Sequence, residues 1–431
     1  MLNKEIIYVL NQWNFWQKLP NLGVERPLYV DLLYKQHNLK EVSVISGVRR
    51  SGKSTILLQT LKRLIDSGTA KENILYVNFE DPSFAQNLNL QFLLQILDAY
   101  KEEFAPQGKI FIALDEVSQI SQWEKFVRGI YDKEDNIKFY ITDSSSRLLS
   151  PEYGKTLTGR TLTNIIYPLS FAEFLRFQNL SVTCADSQSP ELRHIFKDYL
   201  QYGGFPQVAL TSDVDNKIKI LKEYFFAIIE KDITQRYHIR DVKQLKEFCL
   251  LVISNNTQLF SGYAAGRALS LSQPTANKFL NYLQEVYLFW AALFFSYSFR
   301  QQQTRAKKIY SIDTGLYNAV SFKFSENIGK VFENAVFLSL RRLGQEVFYW
   351  QGKQEVDFVV REGIKIKRLI NVCYDLHNDN RVREVNGLKE AMKKFNIKEA
   401  EIITLGVEEK IEVAEGVIRV KDFLDEVSLC N

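Results

Sequence analysis

Eight consecutive residues near the start of the chain have the types and the spacing of a phosphate-binding loop. In such a loop the glycines let backbone N–H groups curl around a phosphate, the lysine reaches the β- and γ-phosphates, and the hydroxyl binds Mg²⁺. The sequence therefore predicts an ATP site, with Ser54 as a ligand of Mg²⁺. The pattern GxxxxGK[ST] and the residue that follows it comprise Gly47, Val48, Arg49, Arg50, Ser51, Gly52, Lys53, Ser54 and Thr55.

The flanking residues place this loop between a strand and a helix. The apolar run Val42–Ser46 precedes the loop, and the run Thr55–Leu61 follows it with helical spacing. Because the N-terminus of a helix carries a partial positive charge, this order puts that charge beneath the phosphates. The alternative is a glycine-rich turn without a ligand, and the strand and helix on either side argue against it.

Two acids, Asp115 and Glu116, close the apolar run Lys109–Leu114. A buried parallel strand presents its carboxyl end to the nucleotide, and the run Asn73–Phe79 is predicted to be a second strand of this kind. We expect Asp115 to bind Mg²⁺ and Glu116 to orient and deprotonate the attacking water. A strand that merely ends in two acids is the alternative, which the phosphate-binding loop makes less attractive.

Two further residues are candidates for contact with the γ-phosphate. Ser145 follows the predicted strand Ile137–Thr142, where a polar side chain is expected to sense this phosphate. Arg160 follows Gly159 and has two open interpretations. It is either an arginine finger, which stabilises charge on a neighbouring subunit's nucleotide in the transition state, or an ordinary surface residue.

Taken together, these motifs resemble a family of bacterial and archaeal AAA-type ATPases whose C-terminal domain is of unknown function. The segments that carry the resemblance are GVRRSGKS, LDEVSQISQWEKFVRGIYD, ITDSSSRLL, LTGR and YPLSFAEFL, and the similarity covers nearly the whole chain. By this resemblance, Lys53 and Ser54 are loop ligands, Asp115 and Glu116 are the acidic pair, and Arg160 is the finger.

The resemblance also implies a domain order and a fold class. We expect a P-loop core in residues 1–165, a helical lid in 166–240, a winged helix in 241–312 and a nuclease-like domain in 313–431. The expected fold class is α/β, with a P-loop AAA-type ATPase core followed by the helical lid, the winged helix and a C-terminal restriction-nuclease-like α/β domain.

The chain departs from the family pattern at two places near the predicted phosphate site. Asp143-Ser144-Ser145 stands where glycine-serine-asparagine is common, and Ser118 stands where glutamine is usual. Serine is shorter than asparagine, and Asp143 adds negative charge beside a phosphate. ATP binding is therefore the firmer expectation, and hydrolysis is expected to be slow.

The composition is that of a soluble globular protein with more than one domain. The chain has 431 residues, of which 46% are hydrophobic and 25% charged, and its net charge of +4 neither demands nor excludes nucleic acid. Cys184, Cys249, Cys373 and Cys430 show no CxxC spacing, so we expect neither a zinc site nor a disulfide framework. With no signal-like N-terminus, and with Val286–Phe295 too short to cross a bilayer, a cytoplasmic location without membrane contact is predicted.

The middle of the chain contains the pattern of a helix-turn-helix. Gly262–Leu269 reads as one helix, and Ser272 is a predicted N-cap for a second helix over Gln273–Leu283. The basic stretch Arg300–Lys308, between two apolar runs, is predicted to be the tip of a wing. DNA contact through Gln273, Thr275, Lys278 and this tip is one interpretation, and a module that only packs between domains is the other.

The C-terminal region has part of the pattern of a restriction-type nuclease. Such enzymes place an acid on a helix, an acid on a second strand and E-x-K on a third strand. Glu333 and Asp357 stand at the first two positions, whereas Asn371 and Cys373 replace the E-x-K residues. Because asparagine is a poor Mg²⁺ ligand and cysteine carries no fixed positive charge, the sequence predicts a nuclease-like domain that has lost cleavage.

The leading functional hypothesis is an Mg²⁺-dependent ATPase that uses ATP as a switch or an assembly signal, coupled to DNA through the winged helix. A DNA-binding or scaffold protein with a regulatory, barely hydrolysing ATP site is the alternative, and a metal-dependent nuclease is the third. The expected cofactors are ATP and Mg²⁺. If Arg160 acts on a neighbouring subunit, the protein is a homo-oligomer.

Overall fold

A computed structural model of the chain describes residues 1–146, 157–180, 189–321 and 327–428. The chain divides into two compact units, Met1–Ile166 and Tyr167–Asn431. The strands of the first unit are β1 (Val42–Ser46), β2 (Ile74–Asn78), β3 (Ile110–Asp115), β4 (Ile137–Asp143) and β5 (Thr161–Ile165). Its helices are α1 (Asn3–Trp13), α2 (Pro27–Lys35), α3 (Lys53–Asp66), α4 (Leu90–Phe104) and α5 (Trp123–Tyr131).

The first unit is a parallel sheet between two layers of helices. The strand order is β2-β3-β4-β1-β5, and every neighbouring pair is parallel. Successive side chains of a strand point to opposite faces. On β3, Ile112 and Leu114 belong to the core that includes α1, α4 and α5, whereas Phe111 and Ala113 belong to the core that includes α2 and α3. The predicted α/β class is confirmed for this unit.

The parallel direction of the strands determines where the functional residues meet. The carboxyl ends of all five strands lie along one edge of the sheet, because every pair runs the same way. The phosphate-binding loop leaves the end of β1, and the acids Asp115 and Glu116 stand at the end of β3. The strands predicted from the apolar runs at residues 73–79, 109–114 and 137–142 are all present.

The second unit combines helices with a larger mixed sheet. Its strands are β6 (Leu259–Phe260), β7 (Phe289–Phe294), β8 (Lys307–Ser311), β9 (Glu346–Gln351), β10 (Glu355–Glu362), β11 (Lys365–Val372), β12 (Glu399–Thr404), β13 (Glu409–Val413) and β14 (Gly416–Asp422). Its helices are α6 (Phe171–Phe177), α7 (Pro190–Tyr202), α8 (Pro206–Leu210), α9 (Val214–Ala227), the π-helix Ile228–Gln235, α10 (Val242–Ser254), α11 (Gly262–Ala268), α12 (Gln273–Glu285), α13 (Phe299–Thr304), α14 (Thr314–Val320), α15 (Ile328–Arg342), α16 (Asn378–Phe395) and α17 (Phe423–Ser428).

These nine strands form one continuous sheet in the order β13-β14-β12-β11-β10-β9-β7-β8-β6. The pair β7–β9 is parallel, with Leu293 opposite Phe348, and it joins the two stretches that the sequence assigned to a winged helix and to a nuclease-like domain. Both stretches therefore share a single sheet. Separate domains with a boundary at residues 312 and 313 stay a prediction.

The elements at residues 242–311 follow the order α10-β6-α11-α12-β7-β8. The predicted pair of helices is present, and the Ser272 hydroxyl accepts a hydrogen bond from Thr275 N–H, so the predicted N-cap is confirmed. Gln273 and Lys278 are exposed on α12. The winged helix itself stays a prediction.

The predicted basic wing tip is wrong in its details. The strands β7 and β8 pair antiparallel, as a wing requires, but the short helix α13 occupies much of the connection between them. Lys308 belongs to β8 rather than to a tip, and it is only 3% exposed. Its burial has a physical cause, described below: three carboxylates from later in the chain surround its ammonium.

The sequence also made predictions about the cysteines and about membrane-spanning segments. Cys249 and Cys373 are buried, while Cys184 and Cys430 lie outside the described residues. Over the part of the chain that the structure describes, no helix combines the length and the apolar character needed to span a membrane.

Candidate functional site

The phosphate-binding loop is held in a tight path between β1 and α3. Gly47 has a φ of +149°, and a Cβ atom there would lie 2.2 Å from the carbonyl oxygen of Ile166. Gly52, with φ of +95°, directly precedes the first residue of α3. Both conformations favour glycine. The two glycines of the motif are thus required by backbone geometry, and the helix N-terminus follows immediately, as the sequence predicts.

Replacing Gly47 with alanine is expected to destabilise the first unit and to weaken nucleotide binding. The unfavourable φ costs about 1–3 kcal/mol, and the clash with Ile166 adds to this cost. Urea denaturation and ATP titration would measure the two effects. Gly68→Ala is the matched control, because Gly68 has a φ of +100° with open space around its Cβ position. Equal behaviour of the two variants would contradict the assigned role of the close approach.

The Lys53 ammonium lies inside the loop. Its Nζ donates to the carbonyl oxygens of Gly47 and Val48 at 3.1 and 3.2 Å, and it lies 3.8 Å from Glu116 Oε1. Lys53 is 5% exposed, and Glu116 is 7% exposed. The contact brings the lysine of the loop and the second acid of the strand end together, as the sequence requires of a nucleotide site.

Asp115 is buried at the end of β3 and is oriented by two hydroxyls. Its Oδ2 accepts a hydrogen bond of 2.7 Å from Tyr76, and its Oδ1 accepts one from Thr142. The Thr142 hydroxyl oxygen in turn accepts the backbone N–H of Glu116 at 2.8 Å. A carboxylate and the Ser54 hydroxyl are hard oxygen donors of the kind that Mg²⁺ prefers, so this donor set fits that ion.

Glu116 has an unusual backbone and an unusual acidity. It adopts the left-handed region with φ of +53° and begins the 3₁₀ turn Val117–Gln119. Burial, opposed by the positive charge of Lys53, raises the pKa of Glu116 to about 7. Non-glycine residues in this region are uncommon and concentrate at functional sites. The backbone turn directs Glu116 to Lys53 while Asp115 bonds to strands β2 and β4.

Asp143 and Ser145 form a buried polar cluster beside this site. Ser145 donates to Asp143 Oδ2 at 2.9 Å, and Ser118 donates to Asp143 Oδ1 at 2.7 Å. The Ser46 hydroxyl donates to the Ser145 carbonyl oxygen at 2.8 Å. The predicted sensor Ser145 therefore lies next to the start of the loop, but its hydroxyl bonds to a third carboxylate at the same edge of the sheet.

Arg160 lies at the other end of β1 from the loop. Its carbonyl oxygen accepts the N–H of Val42, the first residue of β1, whereas the loop follows Ser46, the last one. The first and last residues of this five-residue strand are about 13 Å apart. The Arg160 side chain pairs with Asp132 at 3.3 Å and lies over the Tyr131 ring. Arg160 is thus absent from its own chain's site, and its role as a finger towards a neighbour stays a prediction.

Three supporting residues were missed from the sequence. Arg26 is 2% exposed and donates to the Ser51 carbonyl oxygen at 2.8 Å, so it braces the loop from before β1. Tyr76 and Thr142 orient Asp115. A signal exists for Thr142, a polar residue near the end of an otherwise apolar strand. No local pattern marks Arg26, because 25 residues separate it from Ser51.

The two acids predicted in the second unit lie together, around a lysine. Glu333 on α15 and Asp357 on β10 both contact the Lys308 ammonium. Burial, opposed by Lys308, raises the pKa of Glu333 to about 7. Burial favours neutral Lys308, but the neighbouring acids outweigh it and hold the pKa of Lys308 well above its usual value. Asn371, on β11, donates to Glu384 at 2.8 Å.

Comparison with known proteins identifies the first region of the chain. Residues 39–175 match the family model of an AAA domain, and residues 193–327 match a domain of unknown function, DUF8612. The AAA match confirms the prediction of an AAA-type ATPase domain. The winged helix and the nuclease-like domain stay predictions.

Relatives cover most of the chain. An uncharacterized protein of Methanocaldococcus jannaschii is 34% identical over 369 residues, which are 83% of this chain and 80% of the relative. An uncharacterized protein of Haemophilus influenzae is 32% identical over 381 residues, covering 87% and 93% of the two chains. Among solved structures, a Walker-type ATPase of Pyrococcus abyssi aligns with a TM-score of 0.44 and 15% identity, over 69% of this chain and 95% of that one.

Proposed function

The chain belongs to one family with these Methanocaldococcus and Haemophilus proteins, and within that family we propose that it binds Mg²⁺-ATP and hydrolyses it as a switch or an assembly signal. The observation that carries the proposal is the contact of Lys53 with Glu116 beside the loop, with Asp115 next to Glu116 at the end of β3. Phosphoryl transfer to water needs a lysine, an acidic residue that binds the metal and a second acidic residue that acts as general base. All three lie here at the edge of the sheet where the strands end.

Each residue has a distinct task in this proposal. Lys53 leaves the carbonyl oxygens of its loop and contacts the β- and γ-phosphates. Ser54 and Asp115 hold Mg²⁺, which supplies charge neutralisation on the phosphate oxygens when bound. Glu116 positions the attacking water and accepts its proton. A pKa near 7 suits this task, because a base is most effective when its pKa lies near the working pH.

The Asp143 cluster favours slow turnover. The Ser145 hydroxyl donates to Asp143. While it does so, it does not donate to the γ-phosphate and does not stabilise the charge that develops there in the transition state. This feature supports the second candidate function, a DNA-binding or scaffold protein whose ATP site is regulatory and hydrolyses little.

The coupling to DNA rests on the elements at residues 242–311. Their order agrees with the one expected of a winged helix, and α12, the proposed recognition helix, exposes Gln273 and Lys278 to solvent. An oligomer is proposed on separate grounds. Arg160 lies at the far end of β1 from its own loop, so if it acts as a finger rather than as a surface residue, it acts on a neighbouring chain's nucleotide.

Phosphate release from Mg²⁺-ATP, measured with and without duplex DNA, tests the coupling. We expect a basal rate that DNA raises severalfold, and a gel shift whose affinity falls steeply as salt increases. Lys278→Gln should reduce the DNA effect and leave the basal rate unchanged, while Lys243→Gln, at an exposed position of α10, serves as a matched control. ATP binding without turnover in any condition would support the regulatory alternative. No gel shift at low salt would remove DNA from the proposal.

A further inference from the structure

The second unit contains an open cleft of about 730 Å³ next to the end of β8. Its lining includes Lys308, Glu333, Glu355 and Asp357, which come from β8, α15 and β10. The proposed ATPase mechanism uses none of these residues. A role for the cleft must therefore follow from the side chains that line it.

Lys308 is the centre of this chemistry. Its Nζ lies 2.8 Å from Glu333 Oε1, 2.7 Å from Glu355 Oε1 and 3.1 Å from Asp357 Oδ1. An ammonium group has three N–H donors, and here three carboxylates surround it. Lys308 is 3% exposed, whereas lysine is almost never buried unless it is paired. The ammonium is thus fixed within a cage of carboxylate oxygens.

Further hydrogen bonds, from groups other than Lys308, hold two of these carboxylates in place. Tyr310 donates to Glu333 Oε1 at 2.8 Å, and the backbone N–H of Val372 donates to Asp357 Oδ2 at 2.9 Å. The Asn371 side-chain oxygen accepts the backbone N–H of Asp357 at 3.2 Å. Glu333 and Asp357 are therefore oriented by the strands and the helix, as are the ligands of a preformed cation site.

The same oxygens are too far from a common centre to bind a metal directly. In the described part of the chain, no group of three His, Cys, Asp or Glu side chains is placed to hold a metal ion. A Mg²⁺–oxygen distance is about 2.1 Å, and Mn²⁺ takes similar oxygen ligands. The carboxylate oxygens lie 2.7–3.1 Å from the ammonium nitrogen, so they would have to move inward by about 0.6–1.0 Å to bind a metal there.

We propose that Lys308 is the resident cation of this cleft: its ammonium takes the place of a divalent metal ion among Glu333, Glu355 and Asp357. The native chain then binds no divalent ion there. A chain without the ammonium gains a site for a hard divalent cation such as Mn²⁺. The inference is independent of the ATP site, which lies in the first unit and uses other residues.

Mn²⁺ binding to the full chain tests the proposal. Lys308→Met removes the charge with little change of length, and Lys308→Arg retains it. We expect Lys308→Met to bind one more Mn²⁺ per chain than the wild type in calorimetric titration, and Lys308→Arg to bind no more than the wild type. Adding Asp357→Asn to Lys308→Met should reduce the affinity for the extra ion at least about tenfold, because one anionic ligand is lost.

A second measurement covers the case in which Lys308→Met folds poorly, since three carboxylates lose their counter-charge. Mn²⁺ should then raise the melting temperature of Lys308→Met more than that of the wild type, because a ligand of the native state stabilises it by mass action and both proteins share the ATP site. No extra ion and no larger thermal shift in Lys308→Met than in the wild type would overturn the proposal. Wild-type Mn²⁺ binding or plasmid cleavage that disappears in Asp357→Ala would overturn it as well, by showing a metal site alongside Lys308.

Discussion

Lys53→Ala is expected to lower the affinity for Mg²⁺-ATP by about 100-fold or more. The ammonium is the positive group of the loop nearest to the terminal phosphates, and hydrogen bonds to charged groups contribute about 1.5–3 kcal/mol each. Its loss also leaves Glu116 without the cation 3.8 Å away, so negative charge at the phosphate position is no longer balanced. Isothermal titration of the purified variant with Mg²⁺-ATP measures the effect.

Lys62→Ala is the matched control for Lys53→Ala. Lys62 lies on the same helix α3 and forms an exposed pair with Asp66, one turn away. An exposed pair of this kind contributes at most about 1 kcal/mol to stability, so nucleotide affinity should be unchanged. Circular dichroism of both variants separates loss of the site from loss of the fold. Wild-type affinity in a folded Lys53→Ala protein would refute the assignment of the loop.

Glu116→Gln is expected to keep ATP binding and to slow phosphate release by at least about 100-fold. A positioned general base contributes about 10²- to 10⁴-fold to a reaction rate, and an amide cannot accept the proton of water. Binding is retained because Lys53, Ser54 and Asp115 are unchanged. Removing a carboxylate 3.8 Å from Lys53 even reduces repulsion towards the phosphates. Single-turnover phosphate release, together with nucleotide titration, distinguishes chemistry from binding.

Glu103→Gln provides the control for Glu116→Gln, since Glu103 is an exposed residue of α4. It should change neither binding nor turnover. Full turnover in Glu116→Gln would show that another group is the base. A rate that is already immeasurable in the wild type, with tight binding in both proteins, would favour a regulatory nucleotide site.

The sequence predicted the nucleotide site because its determinants are local. The loop pattern, the apolar strands and the acids at a strand end each occupy a few consecutive residues, and parallel strands bring their ends together without further information. The contacts of Tyr76 and Thr142 with Asp115 were not predictable in this way. They depend on the register between neighbouring strands, whose contacting residues lie 27 and 39 positions apart in the chain.

The error at Lys308 has the same origin. A run of arginines, glutamines and lysines looks like an exposed tip when only its own composition is considered. Its last lysine is buried because Glu355 and Asp357, 47 and 49 residues later, return to it across the sheet. A charged residue is rarely buried unless such partners exist. Partners that are so distant in the sequence cannot be recognised from the residues around Lys308.

The parallel pairing of β7 with β9 limits how this protein can be divided or recombined. A gene fragment that ends at residue 312 would leave β7 as an open edge, and one that begins at residue 313 would do the same to β9. Open edges of this kind pair with other chains. Exchange of modules in evolution, and construction of chimaeras in the laboratory, are therefore expected to keep β7 and β9 together in one fragment.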